Sequence, residues 1–289
     1  MRNKNTKLNI DLHSFCILPW VHLHVDTSGL VKACCSTSVT YGDINATDVP
    51  KIWSGKEINA FRKQILDTGI DKRCTVCIKR DQANKSSIRT ESNLKYAHKI
   101  DALVNGQLQE PTPVYLDIRF SNVCNLKCRT CWHGASSSWF EEAKLLKNNY
   151  GDKAIIEASK DNPELLKEIL SEVKEVEEVY FAGGEPLMMD EHYKLLDYFL
   201  KVEMQPLLRY NTNLSKLTFK EKNVLDYWKK FKNITLSVSL DSIGEKLEYI
   251  RKGSKYDLII SNLSMIIKEC PHIKLEIAPT VSVFNVFDL

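Results

Sequence analysis

The placement of the cysteines constrains this chain more than any other feature of its sequence. Nine cysteines occur in 289 residues, and they form two groups with Cys270 left over. Cys124, Cys128 and Cys131 make a tight triplet directly after the strand-like run VYLDIRF, and the other five precede residue 80. Clustered cysteines in a reducing compartment more often bind metal than form disulfides. The pattern therefore predicts two metal sites.

Charge and composition indicate where such a chain resides. The first ten residues, MRNKNTKLNI, are polar and lack the apolar core of a signal peptide. No stretch approaches the roughly 18 apolar residues that a membrane span needs. The formal net charge is +3, with acidic and basic residues interspersed along the chain. We therefore expect a cytoplasmic protein with no membrane and no nucleic-acid partner.

Short apolar strands alternate with amphipathic helical stretches from Val114 onward. The predicted strands are residues 114–120, 178–182, 207–211, 234–240 and 273–281. The predicted helices are residues 136–148, 163–176, 191–202, 219–231 and 256–269. Alternation of this kind implies right-handed crossovers and a parallel sheet or barrel. The second part of the chain is therefore predicted to be an α/β domain.

The first part of the chain lacks this rhythm. The predicted elements are a strand over 15–25, its hairpin partner over 30–35, and helices over 56–66 and 91–104. His22 and His24 alternate with apolar residues, which predicts that both lie on a solvent-facing side of the strand. The breaker Glu110-Pro111-Thr112-Pro113 then predicts a boundary between domains at residues 1–110 and 111–289.

The cysteine triplet allows two kinds of metal site. Three thiolates on one loop can bind three irons of a cubane cluster and leave the fourth iron open. The alternative is a structural zinc ion with His133 as its fourth ligand. A short zinc site usually has a second cysteine pair nearby, and none lies close by within this domain. The context therefore favours an iron–sulfur cluster.

Four segments, in order along the chain, resemble the motifs of the radical S-adenosylmethionine (SAM) superfamily. CNLKCRTC at residues 124–131 resembles its CxxxCxxC motif, and FAGGEP at residues 181–186 resembles its GGEP segment. Asn211-Thr212-Asn213 is similar to the family's Thr-Asn segment, and Ser239-Leu240-Asp241 is similar to its S-[IL]-D signature. The family often has an aromatic residue before the third cysteine, where this sequence has Thr130.

The resemblance implies a role for each of these segments. The triplet would hold a [4Fe–4S] cluster whose fourth iron is chelated by the amino and carboxylate groups of SAM. Glu185 would accept a hydrogen bond from the methionyl ammonium, and Gly183 and Gly184 would let the backbone approach the cofactor closely. The other implied cofactor-binding residues are Pro186, Asn213 at the barrel mouth, Ser239 and Asp241 near the ribose hydroxyls, and Arg251 at the cofactor carboxylate. For Arg251, a solvated charge at a helix end is the alternative.

The earlier cysteines resemble a second iron–sulfur module. Cys16, Cys34, Cys74 and Cys77 resemble the pattern of the SPASM/twitch domains that accompany many radical SAM enzymes. The resemblance implies an auxiliary [4Fe–4S] cluster ligated fully by protein, which favours electron transfer over substrate binding. A structural zinc ion on the same four cysteines is the alternative, and Cys35 beside them is expected to pack as a small hydrophobe. In related families this domain follows the core, whereas here it comes first.

The resemblance also implies a fold and a reaction. The fold is α/β, a partial (β/α)6 radical SAM barrel preceded by a small cysteine-rich α+β twitch-like domain. Because only five strands are predicted, we expect the barrel to be truncated after the fifth strand. A flavodoxin- or ferredoxin-type reductant would supply one electron, and SAM would yield methionine and a 5′-deoxyadenosyl radical. That radical would abstract a hydrogen from the substrate.

Twitch and SPASM relatives often modify peptides or proteins, so a peptide is the first substrate expected. A small molecule such as an aminoglycoside precursor is the second, and dehydrogenation, epimerisation and cross-linking all stay open as reactions. The alternative from another class is a non-catalytic zinc or iron–sulfur binding module, or a passive electron carrier. The segment Gly183-Gly184-Glu185 opposes that alternative, because a structural metal site does not require it.

Overall fold

The computed structural model of the chain describes residues 10–108, 111–159, 162–173 and 175–287. Glu110, in the predicted boundary segment, lies outside the described residues. Internal contacts divide the chain into two compact units. The first unit contains the described residues up to His24, those from Leu30 to Leu116 and those between 161 and 175; the second contains the rest. The domain division at residue 110 stays a prediction.

Short helices and one small set of strands make up the chain before residue 110. In order they are α1 (Leu18–Val21), β1 (His22–Val25), β2 (Leu30–Lys32), β3 (Thr40–Asp43), α2 (Val49–Trp53), α3 (Lys56–Thr68), α4 (Thr75–Gln82), α5 (Ile88–Lys95) and α6 (Ala97–Val104). Strands β1, β2 and β3 are neighbours in that order, and β2 and β3 pair antiparallel.

Strands and helices alternate through the rest of the chain. In order they are β4 (Tyr115–Ile118), β5 (Lys127–Cys128), α7 (Phe140–Leu145), α8 (Leu165–Glu172), β6 (Glu178–Phe181), α9 (Asp190–Lys201), β7 (Leu207–Thr212), β8 (Thr218–Phe219), β9 (Lys222–Asn223), α10 (Val224–Trp228), β10 (Ile234–Val238), α11 (Gly244–Ile250), β11 (Arg251–Lys252), α12 (Tyr256–Glu269) and β12 (Lys274–Ile277). Short 3₁₀ turns occur at His133–Ala135, Ser137–Trp139 and Pro186–Met188.

The five strands predicted after Val114 lie side by side in the order β12, β10, β7, β6 and β4. The pairs β12–β10, β10–β7 and β7–β6 are parallel. Helices occur in each connection between these strands, as a parallel sheet requires. The predicted α/β fold with a parallel sheet is therefore confirmed.

Burial alternates along the central strands of this sheet. Leu208 and Tyr210 on β7 and Leu236 and Val238 on β10 are fully buried, whereas the residues between them are not. A parallel sheet covered by helices on both faces has apolar runs instead. One face of these strands therefore packs on helices. On the neighbouring strand β6, the Phe181 ring packs against helix α9, with its centroid 4.7 Å from that of the His192 ring. The other face of the sheet can line a cavity.

The predicted strand over residues 15–25 is wrong in its first half. Residues Leu18–Val21 form α1, because Pro19 in the first helical turn has the right backbone angle and needs no N–H partner there. The prediction of solvent-facing histidines is also wrong: His22 and His24 are 1% and 2% exposed. The His22 ring stacks on Tyr115 with the ring centroids 4.1 Å apart.

Two helix predictions need correction as well, and a further helix was not predicted. The helix predicted over 219–231 is a two-stranded hairpin followed by the short helix α10, which Asn223 caps by accepting the N–H of Leu225 at 3.0 Å. The helix predicted over 91–104 is broken at Tyr96 into α5 and α6. Helix α11 was not predicted at all. Within the described residues, the helices lack the length and apolar character that crossing a bilayer requires.

Candidate active site

The cysteine triplet lies on a loop that leaves the carboxyl end of β4. Cys128 sits on β5, which pairs antiparallel with β11, and the N–H of Cys131 donates to the Cys128 carbonyl at 3.0 Å. The 3₁₀ turn Ser137–Trp139 holds the loop from one side: Ser138 Oγ donates to the Cys124 carbonyl at 2.8 Å, and the indole N–H of Trp139 donates to the Cys128 carbonyl at 3.0 Å. These bonds fix the loop through its backbone and leave the thiols available.

One cavity of about 280 Å³ brings the triplet together with most of the predicted cofactor residues. The predicted residues in its lining are Cys124, Cys128, Cys131, Gly183, Gly184, Glu185, Asn213, Ser239 and Arg251. Among the described residues, Pro186 and Asp241 are predicted site residues that lie outside this lining. Thr130 and Ser136 from the segment after β4 also line it, as do four polar residues of the sheet that were not predicted as site residues, namely Arg119, Tyr180, Asn211 and Thr280. Each of these four lies on a sheet strand or just past its end, which is the sequence signal that could have found them.

Glu185 is the buried acidic group of this cavity, with 1% of its surface exposed. Its Oε2 accepts the N–H of Asn213 at 2.8 Å, and its Oε1 accepts the Thr212 hydroxyl at 2.8 Å and the Leu187 N–H at 3.2 Å. Burial raises the pKa of Glu185 to about 7, although these hydrogen bonds oppose the rise. A carboxylate removed from water in this way binds a cation more strongly than an exposed one does.

Gly183 and Gly184 bring β6 against the start of the cysteine loop. Gly183 has φ +122, and a Cβ at Gly184 would lie 2.2 Å from the carbonyl oxygen of Val123. The N–H of Glu185 donates to that same carbonyl at 2.7 Å. Close approach was predicted toward the cofactor. The observed need for glycine is instead toward the backbone just before Cys124, although both glycines also line the cavity.

Asn213 connects the third strand of the sheet to the cysteine loop. Its Nδ2 donates to Asn125 Oδ1 at 3.2 Å and to the sulfur of Cys124 at 3.8 Å. Ser239 follows β10 beside it, and its N–H donates to the carbonyl of Thr212 at 2.9 Å. The carboxyl end of β7 therefore places an amide next to the first cysteine, and the end of β10 brings Ser239 to the lining of the same cavity.

Asp241 and Arg251 form a buried ion pair at the edge of the cavity. Arg251 Nη2 donates to Asp241 Oδ1 at 2.9 Å, and Nε lies 2.9 Å from Oδ2. The Asp241 side chain is 0% exposed and that of Arg251 is 10% exposed. Arg251 is therefore not the solvated charge that the sequence left as an alternative. Pro186 starts the 3₁₀ turn after Glu185 and is buried.

The zinc alternative required His133 as a ligand. His133 is 1% exposed, and its Nδ1 accepts the N–H of Tyr150 at 3.0 Å, while its Nε2 lies 3.0 Å from the carbonyl oxygen of Ala154. Both ring nitrogens therefore have backbone partners, and a metal ion could bind either only by displacing one of them. The ring pins the segment 150–154 and does not point its nitrogens at the triplet.

The chemistry of the triplet fits a cluster with one open iron. Burial raises the pKa of Cys124 to about 11 and also raises the pKa of Cys128 and Cys131. Buried thiols of this kind become thiolates when a metal supplies positive charge. Three thiols share the cavity with Glu185 and with backbone groups, so the donor set leaves room for a polar molecule at the fourth iron.

Four cysteines of the first unit meet in a second, smaller pocket. Cys16, Cys34, Cys74 and Cys77, the four cysteines that the SPASM/twitch resemblance implies as ligands, all line it. Cys35, which was expected to pack as a small hydrophobe, is exposed instead and lies outside this lining. Burial raises the pKa of Cys16 to about 12, with the nearby thiols of Cys74 and Cys77 adding to the rise, and burial also raises the pKa of Cys34 and Cys74. The rest of the lining is mostly apolar, with Leu18, Pro19, Ala33, Phe61, Ile65, Ile70 and Ile88 beside the polar residues Ser36, Thr37 and Arg89. Four thiols in an apolar pocket fit a metal centre ligated by protein alone.

Comparison with protein families gives two matches. The family model described as the radical SAM superfamily matches residues 118–278, more than half of the chain. The SPASM model, described as an iron–sulfur cluster-binding domain, matches residues 16–78. The cysteine-rich domain therefore precedes the core, in the order that the sequence predicted.

Comparison with solved structures finds matches that include two with bound SAM. SuiB of Streptococcus suis bound to S-adenosylmethionine is 18% identical, with 82% of this chain and 50% of that chain covered and a TM-score of 0.41. Native anSMEcpe with bound AdoMet is 18% identical, with 55% of this chain and 42% of that chain covered and a TM-score of 0.36. The chain thus spans about half or less of the length of these structures.

Proposed function

Because the chain belongs to the radical SAM superfamily, we propose that it is an enzyme that cleaves SAM reductively and abstracts a hydrogen from its substrate. Members of this family bind a [4Fe–4S] cluster with SAM, and a SPASM domain binds auxiliary iron–sulfur clusters. The observation that carries the proposal is the shared cavity, which is lined both by Cys124, Cys128 and Cys131 and by Gly183–Glu185. When bound, the cluster supplies the electron that splits SAM into methionine and a 5′-deoxyadenosyl radical.

The residues of the chain bind and orient SAM. Glu185 is held by the Asn213 N–H and the Thr212 hydroxyl, so its carboxylate is fixed in position to accept a hydrogen bond from the methionyl ammonium. Ser239 supplies a hydroxyl for the ribose, whereas the Asp241 carboxylate is engaged with Arg251 and is not free to bind the ribose. The buried walls of the cavity exclude water from the reacting atoms.

The substrate that we propose is a peptide, because relatives that combine a radical SAM core with a SPASM/twitch domain often modify peptides. A small molecule is the second candidate. Arg119, Tyr180, Asn211 and Thr280 are polar residues of the cavity to which the cofactor assignment gives no role, and Arg119 also pairs with Asp117 at 3.3 Å. They supply hydrogen bonds and one positive charge, which suits a polar group near the carbon that loses hydrogen.

The auxiliary site and the partners complete the proposal. Cys16, Cys34, Cys74 and Cys77 would hold a second [4Fe–4S] cluster that transfers electrons and does not bind substrate, since all four ligand positions come from protein. A flavodoxin- or ferredoxin-type protein would supply the electron in a cytoplasmic compartment.

The test is release of 5′-deoxyadenosine by the anaerobically reconstituted protein given SAM and dithionite, measured by liquid chromatography and mass spectrometry. Cys128→Ala removes one ligand of the triplet and should abolish the product. The matched control is Cys270→Ala, which removes a buried cysteine that lies outside both groups and should leave the product unchanged. A wild-type protein that carries iron but releases no 5′-deoxyadenosine would leave the electron carrier as the better account.

A further inference from the structure

Arg251 connects the buried carboxylate of Asp241 to the sulfur of Cys128, and we infer that this arginine raises the reduction potential of the cluster held by that cysteine. Arg251 is then a positioning residue whose first partner is the cluster ligand and not the carboxylate of SAM. The inference rests on the proposed function in one respect, since it requires a [4Fe–4S] cluster at the triplet. It does not require that SAM be cleaved.

The guanidinium of Arg251 contacts two groups with different atoms. Its Nε and Nη2 face the two carboxylate oxygens of Asp241, both at 2.9 Å. The remaining nitrogen, Nη1, donates to the sulfur of Cys128 at 3.8 Å. The edge of the fork that would bind a carboxylate of SAM side-on is therefore occupied by a carboxylate of the protein.

The backbone delivers this side chain to the cysteine. Strands β5 and β11 pair antiparallel with Arg251 directly opposite Cys128. The N–H of Arg129 donates to the carbonyl of Ile250 at 2.8 Å and extends the pairing by one more bond. Residues that face each other across an antiparallel pair stay within side-chain reach, so the contact is a consequence of the register and not of a chance rotamer.

Asp241 is itself held from two sides. Its Oδ1 also accepts the N–H of Thr280 at 2.8 Å, and its backbone carbonyl accepts the side-chain amide of Asn285 at 2.8 Å. A carboxylate fixed in this way fixes the orientation of its guanidinium partner. The arrangement therefore holds the Nη1 donor on the sulfur and restrains it from turning toward solvent.

Hydrogen bonds and positive charge at the ligand sulfurs set the potential of an iron–sulfur cluster. Reduction adds one negative charge to the cluster, and a cation donating to a thiolate sulfur stabilises the reduced form more than the oxidised form. Only 8% of Arg251 is exposed, so solvent and salt screen its charge less than they screen the charge of a surface arginine. Asp241 acts in the opposite direction, but its charge lies behind the guanidinium and farther from the sulfur.

The experiment is a potentiometric titration of the triplet cluster in the full-length protein, without SAM, followed by electron paramagnetic resonance. Arg251→Gln alone would leave a buried carboxylate unpaired and could unfold the protein, so the principal variant is the double change Arg251→Gln with Asp241→Asn. It should show a lower midpoint potential, with a ratio of reduced to oxidised cluster roughly tenfold below that of the wild type at a fixed solution potential. Asp241→Asn alone keeps the cation and removes its counter-charge, and it should shift the midpoint the other way.

The matched control is Arg129→Gln, which removes the neighbouring arginine of the same hairpin. Arg129 is exposed, stacks on Tyr249 with its guanidinium 3.9 Å from the ring centroid, and donates to the Tyr249 carbonyl at 2.9 Å. Its charge is screened by solvent, so the midpoint should stay at the wild-type value. A shift as large as that of the double variant would overturn the inference, because any nearby positive charge would then suffice.

A second measurement needs no substitution of Arg251 or Asp241. Wild-type protein grown with ¹⁵N-labelled arginine should show a weak ¹⁵N coupling in the electron spin echo envelope of the reduced cluster, and Arg129→Gln should retain it. Absence of the coupling in the wild type would overturn the inference even if a variant failed to fold. So would equal midpoints in wild type, Asp241→Asn and the double variant. A failure of the proposed function would look different. The cluster would then show the expected redox shifts, but the protein would release no 5′-deoxyadenosine.

Discussion

A Cβ atom at Gly184 would lie 2.2 Å from the carbonyl oxygen of Val123, the residue before the first cysteine of the triplet. That carbonyl also accepts the N–H of Glu185 at 2.7 Å. The end of β6 and the start of the cysteine loop are therefore in contact through their backbones. The segment proposed to bind the methionyl end of SAM and the segment proposed to bind the cluster therefore cannot move independently of each other.

We expect Gly184→Ala to lose the triplet cluster. The added methyl group meets backbone atoms, which cannot rotate away, so the cysteine loop must shift and the three thiols lose their common geometry. Iron content at this site should fall by more than half, with a loss of about 2 kcal/mol or more in unfolding free energy. Iron analysis and chemical denaturation measure the two effects.

Gly151→Ala is the control for that change. Gly151 has a positive φ, +77, which Gly184 does not have, and a Cβ there would have no neighbour within 4 Å. Its cost should be limited to backbone strain of about 1 kcal/mol, with iron unchanged. Equal iron loss in both variants would show that the contact with Val123 is not what matters.

The pKa of Glu185 leads to a pH dependence of SAM binding. Burial raises this pKa to about 7, so below pH 7 the carboxyl must lose a proton before it can accept a hydrogen bond from an ammonium group. SAM affinity of the cluster-loaded protein should therefore fall as the pH drops from 8 to 6. Glu185→Gln should bind SAM about tenfold or more weakly at pH 8 and should lack the pH dependence.

Equilibrium dialysis with labelled SAM at three pH values measures both effects. Glu191→Gln is the control, because Glu191 lies in the first turn of α9 with 32% of its side chain exposed and faces solvent. It should bind SAM as the wild type does. If the pH dependence of Glu185→Gln matched that of the wild type, another group would have to be responsible for it.

The sequence predicted the sheet and the grouping of the motif residues for a simple physical reason. Segments of alternating apolar and polar residues such as 234–238 predict strands, and parallel strands bring their carboxyl ends to one edge of the sheet. Residues that follow different strands, such as Gly183, Asn213 and Ser239, were therefore expected in one place, and the structure brings them to one cavity.

The errors arise where a side chain is determined by a distant partner. His22 was assigned to a solvent-facing side from its alternation with apolar residues, but the ring of Tyr115 covers it, and periodicity does not report which face is covered. The pairing of Arg251 with Asp241 depends on α11, which lies between them and has no strong sequence signal. Lys220 has φ +53, a left-handed backbone conformation that an α-helix does not contain, and the chain forms a hairpin at the start of the helix predicted over 219–231.

We expect His133→Ala to keep the iron and lose stability. The ring bonds the backbone of Tyr150 and Ala154, so its removal leaves buried polar groups without partners and should lower the unfolding free energy by about 2–3 kcal/mol. Metal analysis should show the wild-type iron content and no zinc. His272→Ala removes an exposed histidine with one backbone contact and should cost less than 1 kcal/mol. If His133→Ala lost bound metal and His272→Ala did not, a zinc site with His133 as a ligand would be the better interpretation.

The last prediction concerns the metal at the auxiliary site, where the iron content of the protein distinguishes an iron–sulfur cluster from zinc. Wild-type protein reconstituted anaerobically should carry about eight iron atoms per chain, and Cys16→Ala should carry about four, because the buried pocket offers no substitute ligand for the missing thiol. Cys35→Ala is the control, since this exposed cysteine lies outside the pocket lining and its loss should leave about eight. Wild type with about four iron atoms and one zinc would assign zinc to Cys16, Cys34, Cys74 and Cys77. Equal losses in Cys16→Ala and Cys35→Ala would instead mean that the two cysteines exchange as ligands, and the predicted set of four would be wrong.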